Sequence, residues 1–206
     1  MTFIKICGLT NKEDALAAVS WGANALGFIF APSTRQVTPQ VAAEICKEVP
    51  PSIWKIGVFV NADLGEVKQI AHFCGLTALQ FHGAESPLYC AQAPLPVIKT
   101  IKIKGRESLK EIDKYDQDLF LLEGFHPEKA GGTGETFPWE LVLGIKGKKI
   151  ILAGGLNPQN VSRAISLLRP WGVDVCSGVE KFPGKKDINK MAQFIKEVKR
   201  ADARTR

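Results

Sequence analysis

No stretch of this chain approaches the ~20 consecutive apolar residues that a membrane-spanning helix needs. The N-terminus also lacks the basic segment and apolar run of a secretory signal. There is no CxxC pair, and the cysteines are odd in number and widely spread: Cys7, Cys46, Cys74, Cys90 and Cys176. That pattern argues against a disulfide framework or a thiolate zinc site and fits reduced thiols in a cytoplasmic protein. The three histidines, His72, His82 and His126, show no metal-ligand spacing, so no metal is expected. No low-complexity or linker-like segment divides the chain, and no GK[ST] follows a glycine-rich stretch as a Walker A loop requires. The net charge of +6 owes much to the C-terminal KEVKRADARTR, which reads as a solvated helix end and tail. Aromatics do not interleave with the basic residues, so neither nucleic acid nor a membrane is an expected partner. A mild positive field suits a small anionic substrate instead.

With 206 residues, 45% of them hydrophobic, the chain can bury a full core without metal or disulfide. Short apolar runs recur at Phe3–Cys7, Ala25–Phe30, Trp54–Val60, Ala78–Phe81, Pro96–Ile101, Leu119–Glu123, Lys149–Ala153 and Val173–Cys176. Most are continuously apolar, as strands covered on both faces should be. Helical patterns fill the gaps. Thr10 and Glu13 form a capping-box signature ahead of DALAAVSWG. Thr38-Pro39 opens the next helix with proline at its first position. Further helices are expected over 62–73, 108–115 and 187–200, and one through VSRAISLL capped at Asn157-Pro158. Shorter ones are expected near 86–91 and 139–143. Eight strand–helix units imply a parallel sheet, and in so short a chain they fit one α/β domain over 1–206, a (β/α)₈ TIM barrel, with residues 201–206 as a fraying tail. An open doubly wound sheet would show fewer strands.

In a barrel of this kind the active site forms where strands end and βα loops begin. Residues at those ends include Cys7, Arg35, His82, Lys102, Glu123, Gly154, Gly155, Asp174, Ser177 and Gly178. Cys46, Cys74 and Cys90 fall on helices and read as packing residues. The loops LAGGLNPQNV and CSGVEKFPG follow strands 7 and 8, where barrels often bind phosphate through backbone amides. A long glycine-rich loop, GGTGETFPW, contains Gly132 and Gly134 and reads as a lid.

KICGLT, GFIFAPSTRQV, GVFVN, LQFHG, GGTGETFPW, LAGGLNPQNV and GVDVCSGVE, in this order from Lys5 to about Asp187, closely resemble the phosphoribosylanthranilate isomerase family. The resemblance implies a cofactor-free isomerase of tryptophan biosynthesis. Such an enzyme converts N-(5-phosphoribosyl)anthranilate to 1-(2-carboxyphenylamino)-1-deoxyribulose 5-phosphate, so its substrate carries both phosphate and carboxylate. By resemblance Cys7 is the general base, Arg35 anchors the carboxylate and Asp174 contacts sugar hydroxyls. Gly154, Gly155, Ser177 and Gly178 would hold the phosphate, and His82 would hydrogen-bond substrate from its strand end. Two positions depart from the family pattern. The usual acidic aspartate is Glu123 here, and the usual serine pair of the eighth strand is Cys176-Ser177. At Cys176 simple packing is expected.

The chemistry wants a base and an acid on opposite sides of the sugar. Cys7 must be ionised, and the helix expected to start at Thr10 offers a positive end. Glu123 must carry a proton, which desolvation under a closed loop would favour. Two alternatives remain open: a phosphosugar lyase or synthase using Lys102 as its acid, and a phosphosugar-binding barrel impaired by the change to glutamate.

Overall fold

In the computed structural model described here, residues 1–125 and 136–204 are placed, so the lid candidates Gly132 and Gly134 lie outside the described residues. Eight parallel strands close into a barrel in the order β1 to β8, with β1 hydrogen-bonded to β8. They are β1 Phe3–Ile6, β2 Ala25–Ile29, β3 Trp54–Phe59, β4 Ala78–Phe81, β5 Val97–Ile103, β6 Leu119–Gly124, β7 Lys149–Leu152 and β8 Gly172–Val175. The helices are α1 Lys12–Trp21, α2 Pro39–Glu48, α3 Leu64–Cys74, α4 Pro87–Ala91, α5 Val161–Leu168 and α6 Ile188–Arg204. The crossovers after β5 and β6 contain 3₁₀ turns, at Arg106–Lys114 and Trp139–Val142, instead of α-helix. The first of them buries only Ile112, so little tertiary packing rewards a regular α-helix there. An antiparallel hairpin not foreseen from the sequence, β9 Glu180–Phe182 and β10 Lys185–Lys186, follows β8.

The caps differ in detail from the sequence signals. The cap of α1 is Asn11, whose side chain accepts from the Asp14 amide, while Thr10 donates its hydroxyl to the Gly184 carbonyl. Thr38 and Asp63 cap α2 and α3 with their side chains. Before α5, Asn157 accepts from the amides of Gln159 and Asn160, which makes a turn, and the helix proper is preceded by Asn160. Residues 201–204, read from sequence as tail, continue α6 and include the buried Ala201.

Strand alternation sorts the core into two regions. Outward-facing Ile4, Ile6, Leu26, Phe28, Phe120 and Leu122 pack against apolar helix residues such as Ala18, Ile45, Val67 and Phe194. Ala25, Ile56, Ala78, Ile98, Leu119, Leu121 and Ile151 fill the barrel's lower interior. Phe3 closes the bottom by stacking on Trp171 at 4.5 Å and meeting Trp54 edge-on at 5.4 Å. The upper interior is polar instead: Lys5, Gln80, Thr100, Glu123 and Asp174 are all buried there. The apolar floor therefore supplies stability and leaves the top of the barrel free to hold charge.

Candidate active site

Period-two alternation carries each strand's inward face from the floor to the rim. On β1 it runs Phe3, Lys5, Cys7; on β8 it runs Gly172, Asp174, Cys176. The two strands are paired with Lys5 beside Asp174 and Ile6 beside Val175. Lys5 Nζ donates to Asp174 Oδ2 at 2.9 Å, and the lysine is fully buried. Burial alone would lower its pKa, but Asp174 and the neighbouring Cys7 hold the ammonium above its ordinary range. Asp174 feels the same burial in the opposite sense: desolvation raises its pKa to about 7 despite Lys5. Its second oxygen, Oδ1, is buried without a hydrogen-bond partner among the described residues. Asp174 also lines the cavity described below.

Cys7 sits one level above this pair. Its thiol is held well below the ordinary value, first by the Cys176 thiol acting as a hydrogen-bond donor and then, against the cost of burial, by the cations Lys5 and Lys186. The stabilising groups are thus on β1, β8 and the hairpin, not the start of α1. Cys176 carries the proton, and its thiol is pushed up by the same pairing and by burial. The expectation that Cys176 merely packs is therefore corrected. Its sulfur lies 3.8 Å from Lys186 Nζ and 4.0 Å from Glu180 Oε1 as well as facing Cys7. After Cys7 the chain turns at Gly8 with φ +70°, and a Cβ there would come within 2.8 Å of Cys176 Sγ and 3.0 Å of Arg35 Cδ. By contrast, burial pushes Cys46 up to about 12 and both Cys74 and Cys90 up to about 11.

This contrast makes a direct prediction. Iodoacetamide should alkylate Cys7 first. Because its pKa is lowered, its rate should fall clearly less, as pH drops from about 8 to about 7, than that of an ordinary thiol of pKa ~8.5, which loses roughly eightfold. Peptide mapping after brief labelling reads the outcome. An eightfold fall, or prior labelling of the helix cysteines, would contradict the assigned ionisation.

Across the mouth, Glu123 near the end of β6 accepts from His82 Nε2 at 2.7 Å. His82 follows β4, and its Nδ1 lies 3.0 Å from Gln80 Nε2 and 3.2 Å from Thr100 Oγ1. With the Gln80 amide donating into Nδ1, the imidazole proton resides on Nε2 and is directed at the carboxylate. His82 thus touches the acid candidate directly. Lys102 pairs in register with Glu123 but does not line the cavity.

Arg35 leaves the β2 loop and forms a forked ion pair with Glu180, Nε to Oε1 at 2.8 Å and Nη2 to Oε2 at 2.8 Å. Lys186 Nζ reaches the same carboxylate at 3.0 Å. Glu180 is held below the usual carboxylate range by these cations, Arg35 foremost, against the effect of burial. Arg35 Nη1 makes no hydrogen bond among the described residues and remains available to a ligand. Gly154 and Gly155 turn at φ +81° and +66°, a backbone that side chains resist. Their N–H groups make no hydrogen bond among the described residues. The neighbouring loop packs closely on this one, because any side chain at Gly178 would overlap the Leu156 carbonyl.

One cavity of about 360 Å³ is lined by Cys7, Arg35, His82, Glu123, Asp174 and Ser177, together with Gly154 and Gly155. Ile29, Val58, Val60 and Leu156 supply apolar wall. Gly178 stands behind Ser177 and is not part of the lining. Apart from Lys102, every other site residue expected from the sequence and described in the structure lines this space. Sequence reasoning passed over Lys5, Gln80, Glu180 and Lys186. Lys5 and Gln80 were accessible through alternation, each lying two residues before a named site residue on the same strand face. Glu180 and Lys186 depend on the hairpin, for which no turn signal was read.

A closed (β/α)₈ barrel with a thiol and a carboxyl facing one another across its mouth defines a barrel enzyme of the acid–base type. Comparison with known proteins makes the class specific. The family model described as N-(5'phosphoribosyl)anthranilate (PRA) isomerase matches residues 4–197. An N-(5'-phosphoribosyl)anthranilate isomerase of Geobacter sp. (strain M21) is 46% identical over 202 residues, covering 97% of this chain and 99% of that protein. The crystal structure of phosphoribosyl anthranilate isomerase from Thermotoga maritima superposes with a TM-score of 0.91 at 40% identity, covering 97% of this chain and 99% of the other. A further phosphoribosyl anthranilate isomerase structure, in complex with reduced 1-(o-carboxyphenylamino)-1-deoxyribulose 5-phosphate, matches with a TM-score of 0.88 at 38% identity, covering 97% and 99%. The chain belongs to the N-(5'-phosphoribosyl)anthranilate isomerase family.

Proposed function

We propose that this protein catalyses the Amadori rearrangement of N-(5'-phosphoribosyl)anthranilate, with Cys7 as general base and Glu123 as general acid. The observation that carries this reading is that both groups line one cavity, the thiol held below its ordinary pKa by Cys176, Lys5 and Lys186 and the carboxyl bonded to an imidazole. In the first step Glu123 gives a proton to the ribose ring oxygen, and the ring opens to an iminium at C1. The hydrogen bond from His82 fixes the Glu123 carboxyl for that transfer. In the second step the Cys7 thiolate removes the proton from C2, and the iminium takes up the electron pair to give an enamine. Tautomerisation then yields the ketone. Lys5 and Lys186 keep Cys7 anionic before the step, and the substrate's own iminium charge draws the C2 proton toward it.

Binding follows from the walls. The unpartnered amides of Gly154 and Gly155, with the loop at Ser177 and Gly178, suit the phosphate. The Asp174 carboxyl at the cavity wall suits a sugar hydroxyl. Arg35 Nη1 suits the anthranilate carboxylate while Glu180 fixes the rest of the guanidinium. The lyase or synthase alternative loses its support, because Lys102 is outside the cavity.

Two measurements test the binding scheme. Arg35→Ala should raise KM by about 10–100-fold, the range of a lost charge-assisted hydrogen bond, with a much smaller change in kcat. Unchanged KM with a lowered melting temperature would reduce Arg35 to a brace for the hairpin. Inorganic phosphate at roughly 10–50 mM should inhibit competitively, since a lone anion gains only millimolar-scale affinity. Non-competitive inhibition, or none, would remove the phosphate from these loops.

A further inference from the structure

The seam where the barrel closes brings two thiols together. The pairing of β1 with β8 sets Ile6 beside Val175, and the Cys7 amide donates to the Val175 carbonyl at 2.9 Å. One step further along the same register lies Cys7 beside Cys176. Adjacent strands are about 4.8 Å apart, within the ~4.4–6.8 Å between α-carbons that a disulfide spans. Alternation points both side chains inward, and both residues line the cavity, which small solutes can enter. Lys186 Nζ stands 3.8 Å from Cys176 Sγ.

We propose that Cys7 and Cys176 are a modification site for hydroperoxides, which join them in a reversible disulfide that switches the enzyme off. In the first step the Cys7 thiolate attacks the terminal peroxide oxygen. A sulfur–oxygen bond forms, the oxygen–oxygen bond breaks, and the departing alkoxide or hydroxide takes up a proton. The product is a sulfenic acid on Cys7. Cys176 then attacks that sulfur: the sulfur–sulfur bond forms, the sulfur–oxygen bond breaks, and hydroxide leaves as water with the Cys176 proton. Lys186 stabilises the developing Cys176 thiolate. Altogether two thiols are oxidised and one hydroperoxide is reduced to an alcohol and water. The disulfide removes the C2 base, and an external thiol restores it. It also caps Cys7 before the sulfenic acid can be oxidised further to the irreversible sulfinic acid.

This inference rests on Cys7 as the base only for its effect on activity, so its test needs two readouts. The reduced full-length protein is exposed to hydrogen peroxide and digested with trypsin under non-reducing conditions. Peptides 6–12 and 164–181 should be recovered as one linked species lacking two hydrogens. Isomerase activity should fall by an order of magnitude or more and return on adding dithiothreitol, even after long exposure. In Cys176→Ser, compared with its own untreated rate, the loss should become irrecoverable as exposure lengthens. Absence of the linked peptides, a link between Cys46 and Cys74 instead, or equal recovery in both proteins would overturn the proposal. Linked peptides with undiminished activity would keep the disulfide and overturn Cys7 as base.

Discussion

Cys7→Ser should leave a folded protein with kcat lowered by about 10²–10⁴-fold, the usual contribution of a positioned general base. The substitution exchanges one small side chain for another and keeps the strand end intact. It changes acidity, since a serine hydroxyl yields almost no anion near neutral pH even beside two lysines. The ammonium groups that favour a thiolate would face a neutral hydroxyl, so the C2 proton would have no acceptor. Steady-state assay against the parent, with circular dichroism as the check on folding, decides the matter. A variant retaining more than about half the parental rate would place the base elsewhere, because no positioned base contributes so little.

Glu123→Gln should be nearly as damaging, for the complementary reason. The amide is isosteric and can still meet His82 Nε2, so binding and fold should persist while proton delivery to the ring oxygen stops. Glu123→Asp retains an acid but withdraws it from His82 by one methylene. A displacement near 1 Å can cost ~100-fold where geometry is demanding, so an intermediate rate is expected. Parental turnover by Glu123→Gln would refute the assignment, all the more if a variant of His126, which lies outside the described residues, were inactive.

Much of this arrangement could be read from the residues. Buried parallel strands announce themselves as continuous apolar runs, and eight of them recovered the barrel with strand ends displaced by a residue or two. Strand ends then pointed to Cys7, Glu123 and Asp174, because in a parallel barrel one rim collects all of them. What stayed hidden depended on neighbours distant in sequence. Cys176 looked like a small apolar residue until the β1–β8 register set it beside Cys7. Lys5 looked like a stray charge in an apolar strand until Asp174, 169 positions away, supplied its partner. The cap of α1 moved from Thr10 to Asn11 because Thr10 is engaged by Gly184 in the far hairpin. The 3₁₀ crossover at Arg106–Lys114 shows the opposite limit: its helical pattern was real, but with one buried side chain it had too little packing to enforce α geometry.

The seam between the first and last strands also carries a lesson about timing. Lys5 and Cys7 emerge from the ribosome well before Asp174, Cys176 and Lys186, which lie some 170 residues further along the chain. At ~5–20 residues per second that interval lasts about 10–30 s. Throughout it the nascent chain has neither its lysine–aspartate pair nor its activated sulfur, and Cys7 behaves as any thiol does. Joining these two strands is a contact of very long sequence separation, so it belongs late in folding. Reactivity at Cys7 is therefore acquired only when the ring of strands is complete, and the growing polypeptide is spared a nucleophile that it cannot yet shelter.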